Sequence, residues 1–243
     1  MEINELLQLT IDRKASDLHL IGGMPPALRV DGELAAIVNQ PVLTGEEVLQ
    51  LVIQLMNPEQ KNLFLTNREL DFSFAFGVAG RFRINAYFQK GVAAAALRLI
   101  PTKIKTLEEL RLPQVCHRLA QLKQGLVLVT GPTGHGKSST LAGIIEEINT
   151  SRAAHVVTVE DPIEFLYTPR KSFISQREVH SDTHSWAAAL KSVLRQDPDV
   201  VLVGEMRDFE TIAAAITVAE TGHLVLATVH TNSAAQTVDR IID

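Results

Sequence analysis

The chain has 243 residues, 46% of them hydrophobic and 21% charged, the balance of an ordinary globular protein and not of a disordered one. Its formal net charge of −5, with no dense Lys/Arg cluster, argues against a nucleic-acid motor. A single cysteine, Cys116, excludes an intrachain disulfide and a thiolate metal cage and reads as a small buried hydrophobe.

Residues 1–100 read as a mixed α+β domain. Ile3 to Arg13 carries Ile3, Leu6 and Leu7 at helical spacing. Strand-like pieces follow at Asp17–Ile21, Ala27–Val30 and Glu33–Val38, and Asp31-Gly32 between the last two is a hairpin turn. Thr44 to Met56 is a helix with Thr44 as N-cap and Glu47 three residues on, a capping box; Pro58 starts a second helix to about Thr66. Three strands come next, Glu69–Phe76, Arg81–Phe88 and Gly91–Ile100, the last two joined through Gln89-Lys90-Gly91. A linker over 101–112 leads to a second domain, 113–243. Its order is strand Leu126–Thr130, helix Ser138–Asn149, strand His155–Val159, a longer connection, helix Thr183–Arg195, strand Asp199–Val203, helix Asp208–Thr221, strand His223–Val229, and a helix from near Ser233. Strands alternating with helices predict an α/β domain with a mostly parallel sheet. No stretch has the length of an apolar membrane span and the N-terminus lacks a signal core, so the expectation is a cytoplasmic protein with no direct membrane insertion.

Between the first strand and first helix of that domain lies Gly131-Pro132-Thr133-Gly134-His135-Gly136-Lys137-Ser138-Ser139. It fits the phosphate-binding loop of nucleotide triphosphatases. A strand feeding a Gly-rich turn into a helix aims free N–H groups and the positive helix end at one spot, where phosphate binds. Lys137 would reach the β- and γ-phosphates, and the Ser138 hydroxyl would ligate Mg²⁺, so ATP and Mg²⁺ are the expected cofactors.

Ligands of open parallel sheets sit at the carboxyl ends of the strands. Glu160-Asp161-Pro162-Ile163-Glu164 follows one apolar run, and its carboxylates could hold Mg²⁺ waters or activate the attacking water. Gly204-Glu205 follows the next, with Gly204 where an Asp is usual. His230 closes the third run and is placed to sense a γ-phosphate; His223 opens it at the opposite end. In the first domain Arg81 and Arg83 are two apart and share a strand face.

Taken together these motifs resemble the secretion ATPases and, within them, the PilT-like retraction ATPases of type IV pili. The carriers are Ala15-Ser16-Asp17-Leu18-His19-Leu20, Arg29-Val30-Asp31-Gly32, Gly80-Arg81-Phe82-Arg83, the phosphate loop, Glu160 to Glu164, Arg195 to Asp208, and Thr221-Gly222-His223 to His230-Thr231-Asn232. The resemblance implies a RecA-like P-loop ATPase core preceded by a smaller PAS-like α+β domain, assembled as a homo-hexamer. It implies Glu164 as the water-activating base, Glu205 and Glu160 in Mg²⁺ and water organisation, and His223 and His230 as a histidine pair. Arg81, Arg83 and Arg98 would reach nucleotide between domains or subunits. The work implied is pilus retraction, through pilus machinery and an inner-membrane platform protein that brings the chain to the membrane periphery; nucleic acid is not an expected partner. Extension or type II secretion ATPases are the alternative, set back by the single cysteine where those proteins carry a four-cysteine zinc insertion. A nucleotide-binding regulatory fragment without turnover is another, because the family continues past Asp243 with a helical part.

Overall fold

The computed structural model describes residues 2–77, 79–100 and 103–242, and the chain divides into two units, Met1–Pro101 and Thr102–Asp243. Pro101 and Thr102 of the expected linker, and Asp243, lie outside the described residues.

In the first unit, helix α1 (Ile3–Asp12) precedes strands β1 (Asp17–Ile21), β2 (Ala27–Val30) and β3 (Glu33–Ala36). Helices α2 (Gly45–Ile53) and α3 (Pro58–Asn67) follow, then β4 (Glu69–Phe76), β5 (Gly80–Gln89) and β6 (Val92–Ile100). The expected capping box is present at α2: Thr44 Oγ1 accepts from the Glu47 N–H at 3.2 Å, and Glu47 Oε2 accepts from the Thr44 N–H at 2.7 Å. Caps of this kind contribute about 1 kcal/mol each. The strands form one antiparallel sheet in the order β3-β2-β1-β6-β5-β4. Leu18, Leu20, Phe82, Ile84, Leu97 and the apolar sides of α1 to α3 make its core. Polar residues alternate with them on the strands and fall on the other face.

The second unit opens with α4 (Val115–Ala120) and continues through β7 (Gly125–Thr130), α5 (Lys137–Ser151), β8 (His155–Glu160), β9 (Phe173–Glu178), α6 (Trp186–Val193), β10 (Val200–Val203), α7 (Phe209–Glu220), β11 (Leu224–Val229) and α8 (Ala234–Ile242). The sheet is parallel throughout, in the order β7-β11-β10-β8-β9. Strands β10 and β11 are buried along their whole length, as a sheet covered on both faces requires. Val200, Leu202, Leu224 and Leu226 pack with α5, while Val201, Val203, Val225 and Ala227 pack with α6 and α7.

Three features depart from the expected elements, the first being helix α4, which precedes the strand expected to open the second domain. The longer connection after β8 contains strand β9, and α6 starts at Trp186, not Thr183, because the Ser185 side chain caps it by accepting from the Ala188 N–H at 3.2 Å.

Candidate functional site

The segment between β7 and α5 turns through Gly134 and Gly136, whose φ values of +80° and +81° lie where side chains are disfavoured. Gly136 is the N-cap of α5, so the loop's amides meet the positive end of a 15-residue helix. Lys137 is buried, and its Nζ donates to the Gly131 carbonyl at 2.9 Å and the Pro132 carbonyl at 3.1 Å. The ammonium is thus held inside the loop, where phosphate oxygens can replace the two carbonyls as acceptors. Pro132, Thr133 and His135 are exposed, and the His135 Nδ1 lies 3.1 Å from the Thr133 carbonyl. Ser138 and Ser139 follow on the first turn of α5.

A cavity of about 60 Å³ beside the loop is lined by Ser138, Glu160, Asp161, Glu164, Gly204, Glu205 and Thr228. It has room for a few water molecules, not for a nucleotide. Three strand ends and the start of α5 therefore converge as the motif spacing requires. A hollow of about 720 Å³ between residues 103–109 and the far end of α5 is larger, but no residue of the Gly-rich loop lines it. Loop chemistry, not size, marks the smaller cavity as the candidate nucleotide site.

The three glutamates differ in environment. Glu160 is buried; Thr158 Oγ1 donates to its Oε1 at 2.6 Å and the Glu164 N–H to its Oε2 at 3.3 Å. Burial pushes its pKa up to about 7, against hydrogen bonds from Thr158, Glu164 and Gln176 that pull it down. Its oxygens are engaged in shaping the turn. Glu205 Oε1 accepts from Arg207 Nε at 2.7 Å and lies 3.0 Å from His230 Nε2. His230 thus reaches the site through Glu205, and Arg207, to which the motif reading attached no role, joins them from two residues downstream. Glu164 is exposed, and among the described residues no side chain hydrogen-bonds its carboxylate.

His223 lies at the other end of β11, its Nδ1 3.1 Å from both the Val218 carbonyl and the Thr221 hydroxyl at the close of α7. It holds that helix end and lines no part of the cavity. Gly204 explains its own departure from the usual Asp. A Cβ there would stand 3.3 Å from Glu160 Cα, the Val159 carbonyl oxygen and the Trp186 ring.

The three arginines lie on the polar face of the first unit's sheet. Register aligns Ser73, Arg83, Arg98, Asp17 and Arg29 across five strands. Arg98 Nε donates to Asp17 Oδ1 at 2.9 Å, and Arg81 donates to the Ser73 hydroxyl. Burial works to raise the Asp17 pKa, but hydrogen bonds from Ser16 and Arg98 outweigh it and hold the carboxyl below its ordinary value. Arg83 is exposed.

Oxygen donors suit Mg²⁺, which keeps several waters and takes few protein ligands. Ser138 and Glu205 on the cavity wall fit that requirement. No described helix is long and apolar enough to cross a membrane.

A strand, a Gly-rich loop and a helix, with carboxylates at the ends of neighbouring parallel strands, define a P-loop nucleotide-binding domain. The chain belongs to the type II/IV secretion system protein family, whose model matches residues 1–243. It is 50% identical over all 243 residues to the type IV pilus retraction ATPase PilT of Pseudomonas aeruginosa, covering 70% of that protein. It is 51% identical over 218 residues, 90% of this chain and 58% of the relative, to a twitching motility protein of Neisseria gonorrhoeae. The solved structure of the pilus retraction motor PilT with bound ADP superposes with a TM-score of 0.93 at 46% identity, covering all of this chain and 71% of that one.

Proposed function

We propose that this chain binds Mg²⁺–ATP at the loop 131–139 and hydrolyses it as one subunit of a homo-hexameric motor that powers type IV pilus retraction. The observation that carries the chemistry is the convergence of Ser138, Glu164 and Glu205 on one cavity beside the loop that holds Lys137. The names of the relatives, a pilus retraction ATPase and a twitching motility protein, support the biological role. An inner-membrane platform protein is the proposed mechanical partner, with the motor working from the cytoplasmic side.

Phosphoryl transfer depends on positioning and on neutralising charge. Lys137 serves the β- and γ-phosphates, and Ser138 with Glu205 would hold Mg²⁺ directly or through water. The ion, when bound, neutralises phosphate charge. Glu205 pairs with its cationic neighbour Arg207 and holds His230 beside it, from where the imidazole would sense the γ-phosphate. Glu164, whose carboxylate takes no side-chain hydrogen bond from the described residues, is assigned as the base that takes the proton of the attacking water.

The test is ATP hydrolysis with and without Mg²⁺ on the unsubstituted chain, Lys137→Ala, Glu164→Gln and Glu205→Gln. Lys137→Ala is expected to lower turnover by at least about a hundredfold, the scale of losing one transition-state donor. Glu164→Gln is expected to keep ADP affinity and lose turnover. Normal hydrolysis by Lys137→Ala would overturn the site, and normal hydrolysis by Glu164→Gln alone would move the base to Glu205. Nucleotide binding without turnover in the unsubstituted chain would leave a binding module in place of a motor subunit.

A further inference from the structure

Strand β9 carries Ile174, Gln176 and Glu178 on one side, because alternate residues of a strand share a face. Ile174 packs into the core beneath α5. Gln176 and Glu178 instead meet residues 163–167, which bear Glu164 and have neither helix nor strand structure. Backbone groups of such a segment need partners from elsewhere. Side chains supply them here. Gln176 Oε1 accepts from the Tyr167 N–H at 3.0 Å, while its Nε2 donates to the Phe165 carbonyl at 2.8 Å and to Glu160 Oε1 at 3.4 Å. Glu178 Oε2 accepts from the Ile163 N–H at 3.1 Å.

The carboxamide of Gln176 thus works as one rung of a β-ladder, presenting an acceptor and a donor to backbone groups two residues apart. Its third contact ties the same segment to Glu160, which in turn accepts from the Glu164 N–H. Glu164 has no side-chain hydrogen bond from a described residue to fix its carboxylate, so its aim is set by the backbone that carries it.

We propose that Gln176 is a positioning residue that sets Glu164 in the nucleotide site by clamping the backbone on its C-terminal side. The inference rests on the assignment of Glu164 as the base. It needs no contact between Gln176 and nucleotide. A substitution far from the chemistry that misplaces a reacting group by about 1 Å can cost about a hundredfold in rate.

The test compares the full chain with Gln176→Ala and Gln176→Met, the second keeping the side chain's bulk without its hydrogen bonds. ATP turnover, ADP affinity and amide exchange over residues 163–167 are measured on each. The expected result is faster exchange at Tyr167, a kcat lowered by about ten- to a hundredfold and an unchanged ADP affinity. If Gln176→Ala fails to fold, Gln176→Met carries the comparison. Faster exchange with an unchanged kcat would overturn the proposal, as would an ADP affinity that falls in step with kcat. Glu164→Gln, run alongside, separates the two claims. Loss of turnover in that variant, with none in the Gln176 variants, overturns only the clamp, whereas normal turnover in Glu164→Gln overturns the base assignment itself.

Discussion

At the end of β8 Glu160 is only 6% exposed, and burial holds its pKa at about 7 against an ordinary 4.5. The folded protein therefore keeps this proton over a range in which the unfolded chain has released it. Such a group contributes stability that is fully present below the ordinary carboxylate value and is lost as pH rises through about 7. The displacement corresponds to about 3 kcal/mol. Glu160→Gln keeps an acceptor for the Thr158 hydroxyl and removes the ionisation. Urea denaturation of both proteins at pH 5 and pH 8 is expected to show the unsubstituted protein losing up to about 3 kcal/mol relative to the variant across that interval. Parallel behaviour at the two pH values would mean that Glu160 ionises in the folded protein as an ordinary carboxylate does. The neighbouring Glu205 sits in different company, since Arg207 and His230 share one of its oxygens.

Among the elements, the ends of β8 and β10 and the start of α6 meet at Gly204. The Gly204 N–H donates to the Val159 carbonyl at 2.8 Å, and its own carbonyl accepts from the Thr228 hydroxyl on β11. Two of the three atoms nearest a hypothetical Cβ are backbone and cannot swing away. Gly204→Ala is expected to cost about 1–3 kcal/mol, the usual range for overpacking, read as a lower urea midpoint with an unchanged slope. A midpoint equal to that of the unsubstituted protein would show that the strand ends part readily there. Most elements were legible because their signals are local: the capping box at Thr44, the Asp31-Gly32 turn, and apolar runs bounded by turn residues. The Gly-rich loop and the carboxyl-end glutamates were legible for the same reason. Strand β9 was not. Its residues Ser175, Gln176, Arg177 and Glu178 are polar on both faces, because the inward ones bond to a loop where a core strand would pack against it. Hydrophobic periodicity has nothing to register in such a strand. The link from Glu205 to Arg207 and His230 was half visible, as residues in adjacent motifs, but the pairing of β10 with β11 that brings them together is not written in spacing.

On the scale of the whole molecule, the residues to which the motifs assign roles fall in both units. The loop and the glutamates belong to the second unit, while Arg81, Arg83 and Arg98 belong to the first. Within the first unit, Arg81 bonds to Ser73 and Arg98 to Asp17, which leaves the exposed Arg83 as the arginine best suited to an outside anion. An arginine supplied across a subunit interface contributes about 10³–10⁵ in rate to phosphoryl transfer. The chain spans 58–71% of the length of the two relatives and the solved structure named above, so this step is argued for the assembled protein. Arg83→Ala retains an intact phosphate loop, and Lys137→Ala retains an intact Arg83. Each alone is expected to be nearly inactive. If Arg83 acts on a neighbouring subunit's nucleotide, mixing the two variants under assembling conditions, followed by light scattering, restores turnover. The active sites are then those where an Arg83→Ala subunit binds ATP beside a Lys137→Ala subunit that donates the arginine. Restoration should follow assembly and disappear on dilution to the monomer. If Arg83 serves the loop of its own chain, every site in the mixture lacks one of the two groups, and turnover stays at the level of the separate variants at any concentration.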